Sequence, residues 1–96
     1  MAELKIVGVK KQIMRDQALE VLNFLNLKAG KRFRDVKVNT DFIKARLESG
    51  MDVSDLKAII AMKVRESKSG EFNRKFLRPS TLFNNEKCEQ YYGELG

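Results

Sequence analysis

Histidine and tryptophan are absent from this 96-residue chain, and cysteine and proline each occur once. Without histidine the chain lacks the usual general base and the commonest metal ligand. A single thiol, Cys88, excludes a disulfide within the chain, and with no histidine it excludes the usual structural zinc sites. It also fits a reducing cytosol. No apolar run approaches the ~20 residues needed to span a bilayer. The opening "MAELKIVGVKK" has no long apolar core of the signal-peptide kind, so the protein is expected to stay in the cytoplasm of the cell that makes it. There is no glycine-rich phosphate loop, because "GKRF" lacks both the preceding glycine and the closing Ser or Thr. Acidic pairs such as Asp52 and Asp55 suit helix capping and the helix dipole better than acid–base chemistry. Cys88 falls at an inward position beside Tyr91 and Tyr92, where a buried thiol is the expected state. These absences point away from an enzyme and predict no cofactor and no metal.

What is present suits one domain. Hydrophobic residues make up 43% and charged residues 33%, a balance that predicts a folded chain rather than a disordered one. The formal net charge is +6, from 19 Lys+Arg against 13 Asp+Glu. That excess favours an acidic partner: nucleic acid, an acidic protein surface or anionic lipid.

Periodicity predicts helices. "LKIVGV" (Leu4 to Val9) is β-branched and reads either as an edge strand or ordered arm, or as the loose end of a linker. A domain boundary is therefore set after residue 11. From Gln12 to Lys28, Met14, Ala18, Val21, Leu22 and Leu25 recur at helical spacing, and Ile13, Leu19 and Phe24 widen the stripe. Gly30 is the natural stop. "KRFRDVKV" (Lys31 to Val38) reads as a connector with room for a short strand. Asn39 or Thr40 is expected to cap a second helix ending at about Ser49, and Ser54 a third, with Leu56, Ile59, Ile60 and Val64 inward. Near the C-terminus, Pro79 forces Arg78 into an extended form. A short helical turn follows from Ser80. Leu82 and Phe83 do not share a face with Cys88, Tyr91, Tyr92 and Leu95. A break near Asn84–Asn85 is therefore expected, with Asn85 capping a last short helix. The "FLRPSTLF" stretch reads as a rigid elbow in which Pro79, Leu82 and Phe83 are structural. The expected fold is mainly α: a small four-helix domain with at most one short strand pair.

The densest basic segment, "KAGKRFRDVKVNTDFIKAR", carries Lys28, Lys31, Arg32, Arg34, Lys37, Lys44 and Arg46. It could lie along a phosphate backbone with Phe33 stacked on a base. It could equally be solvated charge around a core Phe33, with Lys28, Lys31 and Arg32 complementing the carbonyl end of the first helix. Lys57 and Arg65 form a second basic face with Lys68. Lys63 lies inside an apolar stripe. It reads as an ion pair with Glu66, with another carboxylate, or as a partner-binding lysine. A helix-turn-helix centred on Gly50 fits poorly, since Arg46 would stand where close helix contact needs a small residue.

Three pieces carry a family resemblance: "VLNFLNLKAGKRFR", "TDFIKARLESGMDVSDLKAIIAMKVRE" and "FLRPSTLFNNEKCEQYY". From about Ala18 to Tyr92 the chain resembles the conserved C-terminal domain of phage replication proteins, the replisome-organiser or O-like family. Leu77, Arg78, Pro79, Thr81, Leu82 and Phe83 match its most distinctive signature, and "GKRFR" and Lys63 with Glu66 resemble family positions. Ser67 and Cys88 depart from it, standing where aromatic residues are common. The resemblance implies a non-enzymatic adaptor that brings the host replicative helicase or its loader to a phage origin, with single-stranded DNA contact as a second role. It also implies an alternative, an inhibitor that occupies the loader and blocks host replication. A third reading, from charge alone, is a non-specific nucleic-acid-binding module. The residues expected at the binding surface are Lys31, Arg32, Arg34, Lys57, Arg65 and Arg78. Arg78 has a competing role inside the elbow. The chain itself is expected to be an excised domain or a free-standing short version of such a protein.

Overall fold

The first helix, α1, runs from Ala2 to Ala29. The structure is a computed structural model that describes residues 2–96, with side chains from residue 8 onward. Four more helices follow: α2 (Lys37–Glu48), α3 (Val53–Lys68), α4 (Pro79–Leu82) and α5 (Asn85–Glu94). A single 3₁₀ turn, Arg74–Phe76, separates α3 from α4. Among the described residues there is no strand. The proposed pair from Leu4–Val9 and Arg34–Val38 is therefore corrected: the first stretch is helix, and the second is connector leading into α2. β-Branched residues favour a strand only where a partner strand completes its hydrogen bonds. With no such partner, a helix supplies every bond locally.

α1 has two environments. Val9 and Ile13 are about half exposed, at 56% and 49%, whereas Ala18, Val21, Leu22, Leu25 and Ala29 are buried. Burial begins near Met14, which packs against the core from its edge. α3 lies alongside the buried part. Glu20 pairs with Lys57, and two turns further along both helices Lys28 shares a groove with Ala61, Arg65 and Lys68. The two helices thus run in the same direction. α2 provides the return between them, packing Ile43 and Leu47 inward. The core joins these to Leu56, Ile59 and Ile60 of α3 and to Leu77, Leu82, Phe83 and Cys88.

The caps lie one to four residues before their expected positions. α2 starts at Val36, with no side-chain cap. Asn39 instead donates its amide to the Arg34 carbonyl (2.8 Å), and the Thr40 hydroxyl donates to the Val36 carbonyl (3.3 Å). α3 starts at Asp52 rather than Ser54. The Asp52 carboxylate accepts the Asp55 N–H (2.8 Å), and the Asp55 carboxylate accepts the Asp52 N–H (3.0 Å). This reciprocal box satisfies two otherwise orphaned donors. Ser54 donates its hydroxyl to Asp52 (2.7 Å), and these hydrogen bonds hold the Asp52 carboxyl below the ordinary aspartate value.

The proline corner has the geometry its residues dictate. Arg78 is extended (φ −152°, ψ 154°) and Pro79 opens α4 at the position where a missing N–H does no harm. The Arg78 carbonyl accepts the N–H groups of Thr81 and Leu82. Leu82 and Phe83 are buried. Helix geometry stops at Phe83, and Asn84, one residue before the expected cap, starts α5 by accepting the Lys87 N–H (3.2 Å). Burying a phenylalanine side chain fully is worth about 1.5–3 kcal/mol, so Phe83 is a principal anchor of this corner.

Candidate interaction surface

Two helix C-termini and the 3₁₀ turn meet at one end of the molecule. α1 closes through Gly30 (φ 65°), where the Lys31 N–H reaches back to the Asn26 carbonyl (3.0 Å). A positive φ of this kind is inexpensive only for glycine. Gly30 also lies beside Arg74: a Cβ there would stand 3.4 Å from the Arg74 guanidinium. The α3 end contributes Arg65 and Lys68, which form a shallow groove with Lys28 over Ala61 and Val64. Lys28, Lys31, Arg32, Arg65, Lys68, Arg74 and Lys75 thus gather at this end.

The cations complement the carbonyl ends of α1 and α3. Each such end carries about half a negative charge, so two helices neutralise roughly one of the seven. Glu71 lies nearby and accepts a hydrogen bond from Ser69 (3.1 Å). Glu66 is engaged by Lys63 (2.9 Å). A large positive excess remains, and it faces solvent: Arg32, Arg65, Lys68, Arg74 and Lys75 are all exposed.

The connector is held rigidly. Asn26 clasps the backbone of Phe33 from both sides, donating to its carbonyl (2.9 Å) and accepting its N–H (2.8 Å). Phe33 itself packs against the core from its edge and does not project as a free ring. Arg32 and Arg34 therefore point into solvent from a fixed loop, while Asp35 turns toward Arg15 at 3.7 Å.

The other expected surface residues are differently placed. Lys57 is an ion-pair partner of Glu20, and its ammonium sits 5.4 Å from the Phe24 ring centroid. Arg78 is exposed but donates to the Thr81 hydroxyl (3.2 Å) and lies 5.2 Å from the Phe76 ring, on the elbow. Lys63 is only 4% exposed. It donates to Glu66 (2.9 Å) and Glu94 (3.0 Å), with the Tyr91 ring 4.2 Å and the Phe72 ring 5.3 Å away. Phe72 and Tyr91 meet edge to face. This knot ties α3 to α5. Arg74 and Lys75 join the basic end from a segment whose position no periodicity foretold. Their one sequence signal was the charged run "NRK" just after "SG".

Among the described residues no group of His, Cys, Asp and Glu is arranged to hold a metal ion. No helix among them is long and apolar enough to cross a membrane.

Fold and surface together define a small, all-α domain with a charged end, of the kind that serves as an interaction module. The chain belongs to the family described as the conserved phage C-terminus (Phg_2220_C), whose model matches residues 21–93. The match begins within the buried part of α1 and ends within α5. No curated protein and no solved structure matches the chain.

Proposed function

We propose that the domain is a non-enzymatic adaptor in phage DNA replication that engages the host replicative helicase or its loader. The observation that carries this reading is the convergence of seven cations, from three separate segments, on one solvent-facing end. Such a field steers an acidic macromolecule toward one face and selects against basic ones. Membership of a phage family and the resemblance of "FLRPSTLF" to phage replication proteins supply the biological setting.

An acidic protein fits this end better than single-stranded DNA. Strand-binding surfaces combine positive charge with open aromatic faces for base stacking. Here Phe24 carries Lys28 and Lys57 over its ring, and Phe76 carries Lys75 and Arg78. The large exposed aromatic, Tyr92, belongs to α5 and lies beside Asp55 at the start of α3, not at its basic end. Recruitment and inhibition of a loader would use the same surface.

The test is a pull-down from a bacterial host lysate with the bound proteins identified by mass, paired with a salt titration of single-stranded DNA binding. The adaptor reading expects helicase or loader in the bound fraction. Capture of neither by a folded bait, together with DNA affinity that falls steeply with salt, would replace it with nucleic-acid binding.

A further inference from the structure

Arg46 is buried, at 8% exposure, on the inner side of α2. Its guanidinium donates to the side-chain oxygen of Asn85, a neutral amide, and among the described residues it pairs with no carboxylate. Its Nε–H is enclosed and has no hydrogen-bond partner. A desolvated charge without a counter-charge is among the most unfavourable groups a fold can hold. Its place in the last turn of α2 gives it the partial negative charge of that helix end but no full counter-charge. The neighbouring Cys88 is itself kept neutral, since burial pushes its thiol up to about 11.

Arg46 also lines a groove of about 350 Å³ between α2 and the start of α5. Phe42, Ala45 and Phe83 give the groove an apolar floor, and Asn84 and Asn85 form its far wall. At that wall the first turn of the ten-residue α5 presents the positive end of its dipole, partly complemented by its own Glu86. Asp41 stands at the rim, and its carboxylate is drawn to Lys37. This site lies on the α2–α5 side of the molecule and not on the basic end, so it does not rest on the adaptor reading.

We infer that this groove receives an acidic side chain of a partner polypeptide, carried beside an apolar residue. The carboxylate supplies the counter-charge that Arg46 lacks, and the apolar neighbour covers Phe42 and Ala45. The guanidinium and the α5 terminus both select a negative charge, and the floor selects against a fully solvated anion.

The experiment follows backbone amide resonances of the full chain during titration with acetyl-Glu-Leu-Phe-amide, with its Gln-Leu-Phe counterpart, and with sodium acetate. The Glu peptide is expected to shift the amides of Ala45, Arg46 and Asn84 to Lys87. The Gln peptide should bind about tenfold or more weakly, the loss that accompanies one charge-assisted hydrogen bond. Arg46→Met should keep the helical spectrum and abolish the response. No shift at millimolar peptide, equal shifts with both peptides, or the same shifts with acetate alone would overturn the inference. Should Arg46→Met unfold, the two-peptide comparison on the native chain decides the matter.

Discussion

Lys63 shows how unequal the two halves of an ion pair can be. The lysine is 4% exposed, while Glu66 and Glu94 retain access to water. Burial works against its charge, but the hydrogen bonds it donates to Glu66 and Glu94 outweigh that, and the ammonium is held above the ordinary lysine value. Removing both carboxylates strands a buried charge. Glu66→Ala with Glu94→Ala should cost about 3 kcal/mol in urea denaturation. Lys63→Met leaves two carboxylates that can hydrate, and should cost less than about 1.5 kcal/mol. Equal costs would contradict this account. Cys88 makes a second prediction. Burial raises its thiol from the ordinary 9.0 to about 11, with the Arg46 charge pulling the other way. A raised value in the folded state means more protons bound when folded. The stabilisation is therefore complete below pH 9 and is lost as pH climbs from 9 to about 11. Thermal melts of Cys88→Ala across that window should fall less steeply than those of the native chain. Lys63 and Tyr91, both raised, add their own alkaline losses, so the variant reduces the slope without flattening it.

At the scale of elements, the proline corner and the Asn26 clasp determine where the surface residues point. Phe83→Ala removes a wholly buried ring at the junction of α4 and α5 and should destabilise the domain by about 3–5 kcal/mol. Asn26→Ala should act locally. It frees the Phe33 backbone, so hydrogen exchange at the Phe33 amide should accelerate by far more than at the core amides of α3. Unchanged exchange there would mean that the loop is held by something other than the clasp. Much of this architecture was legible in the sequence. The three- and four-residue spacing from Met14 to Leu25 and from Leu56 to Val64 marks α1 and α3, and the angular mismatch of Leu82 with Cys88 marks the break before α5. The start of α1 was hidden, because Ile6, Val7 and Val9 have strand-forming side chains and the missing partner strand is a fact of the whole fold. The caps were displaced for a related reason. Ser54 can cap, but Asp52 with Asp55 three residues on satisfies two donors at once and wins. Arg46 read as one more surface cation, although its position on the Ile43 and Leu47 side of α2 puts it inside.

For the whole molecule, the distribution of charge matters more than its total. The run from Lys28 to Arg34 was visible as a basic segment, but the arrival of Arg65, Lys68, Arg74 and Lys75 beside it depends on α1 and α3 running in the same direction. α5 carries Glu86, Glu89 and Glu94 against a single Lys87, a net-negative helix in a basic chain. Screening acts over about 8 Å at physiological salt, which makes the basic end a short-range, salt-sensitive contact. The decisive measurement compares binding of purified host replicative helicase and its loader, by surface-immobilised native domain and by a variant with Arg65, Lys68, Arg74 and Lys75 each changed to Glu. Circular dichroism of the two should agree, since all four side chains are exposed. Helicase or loader is expected to bind the native chain, more weakly as salt rises, and to be lost from the variant. Equal binding by both chains, or none by the native one, would contradict that expectation.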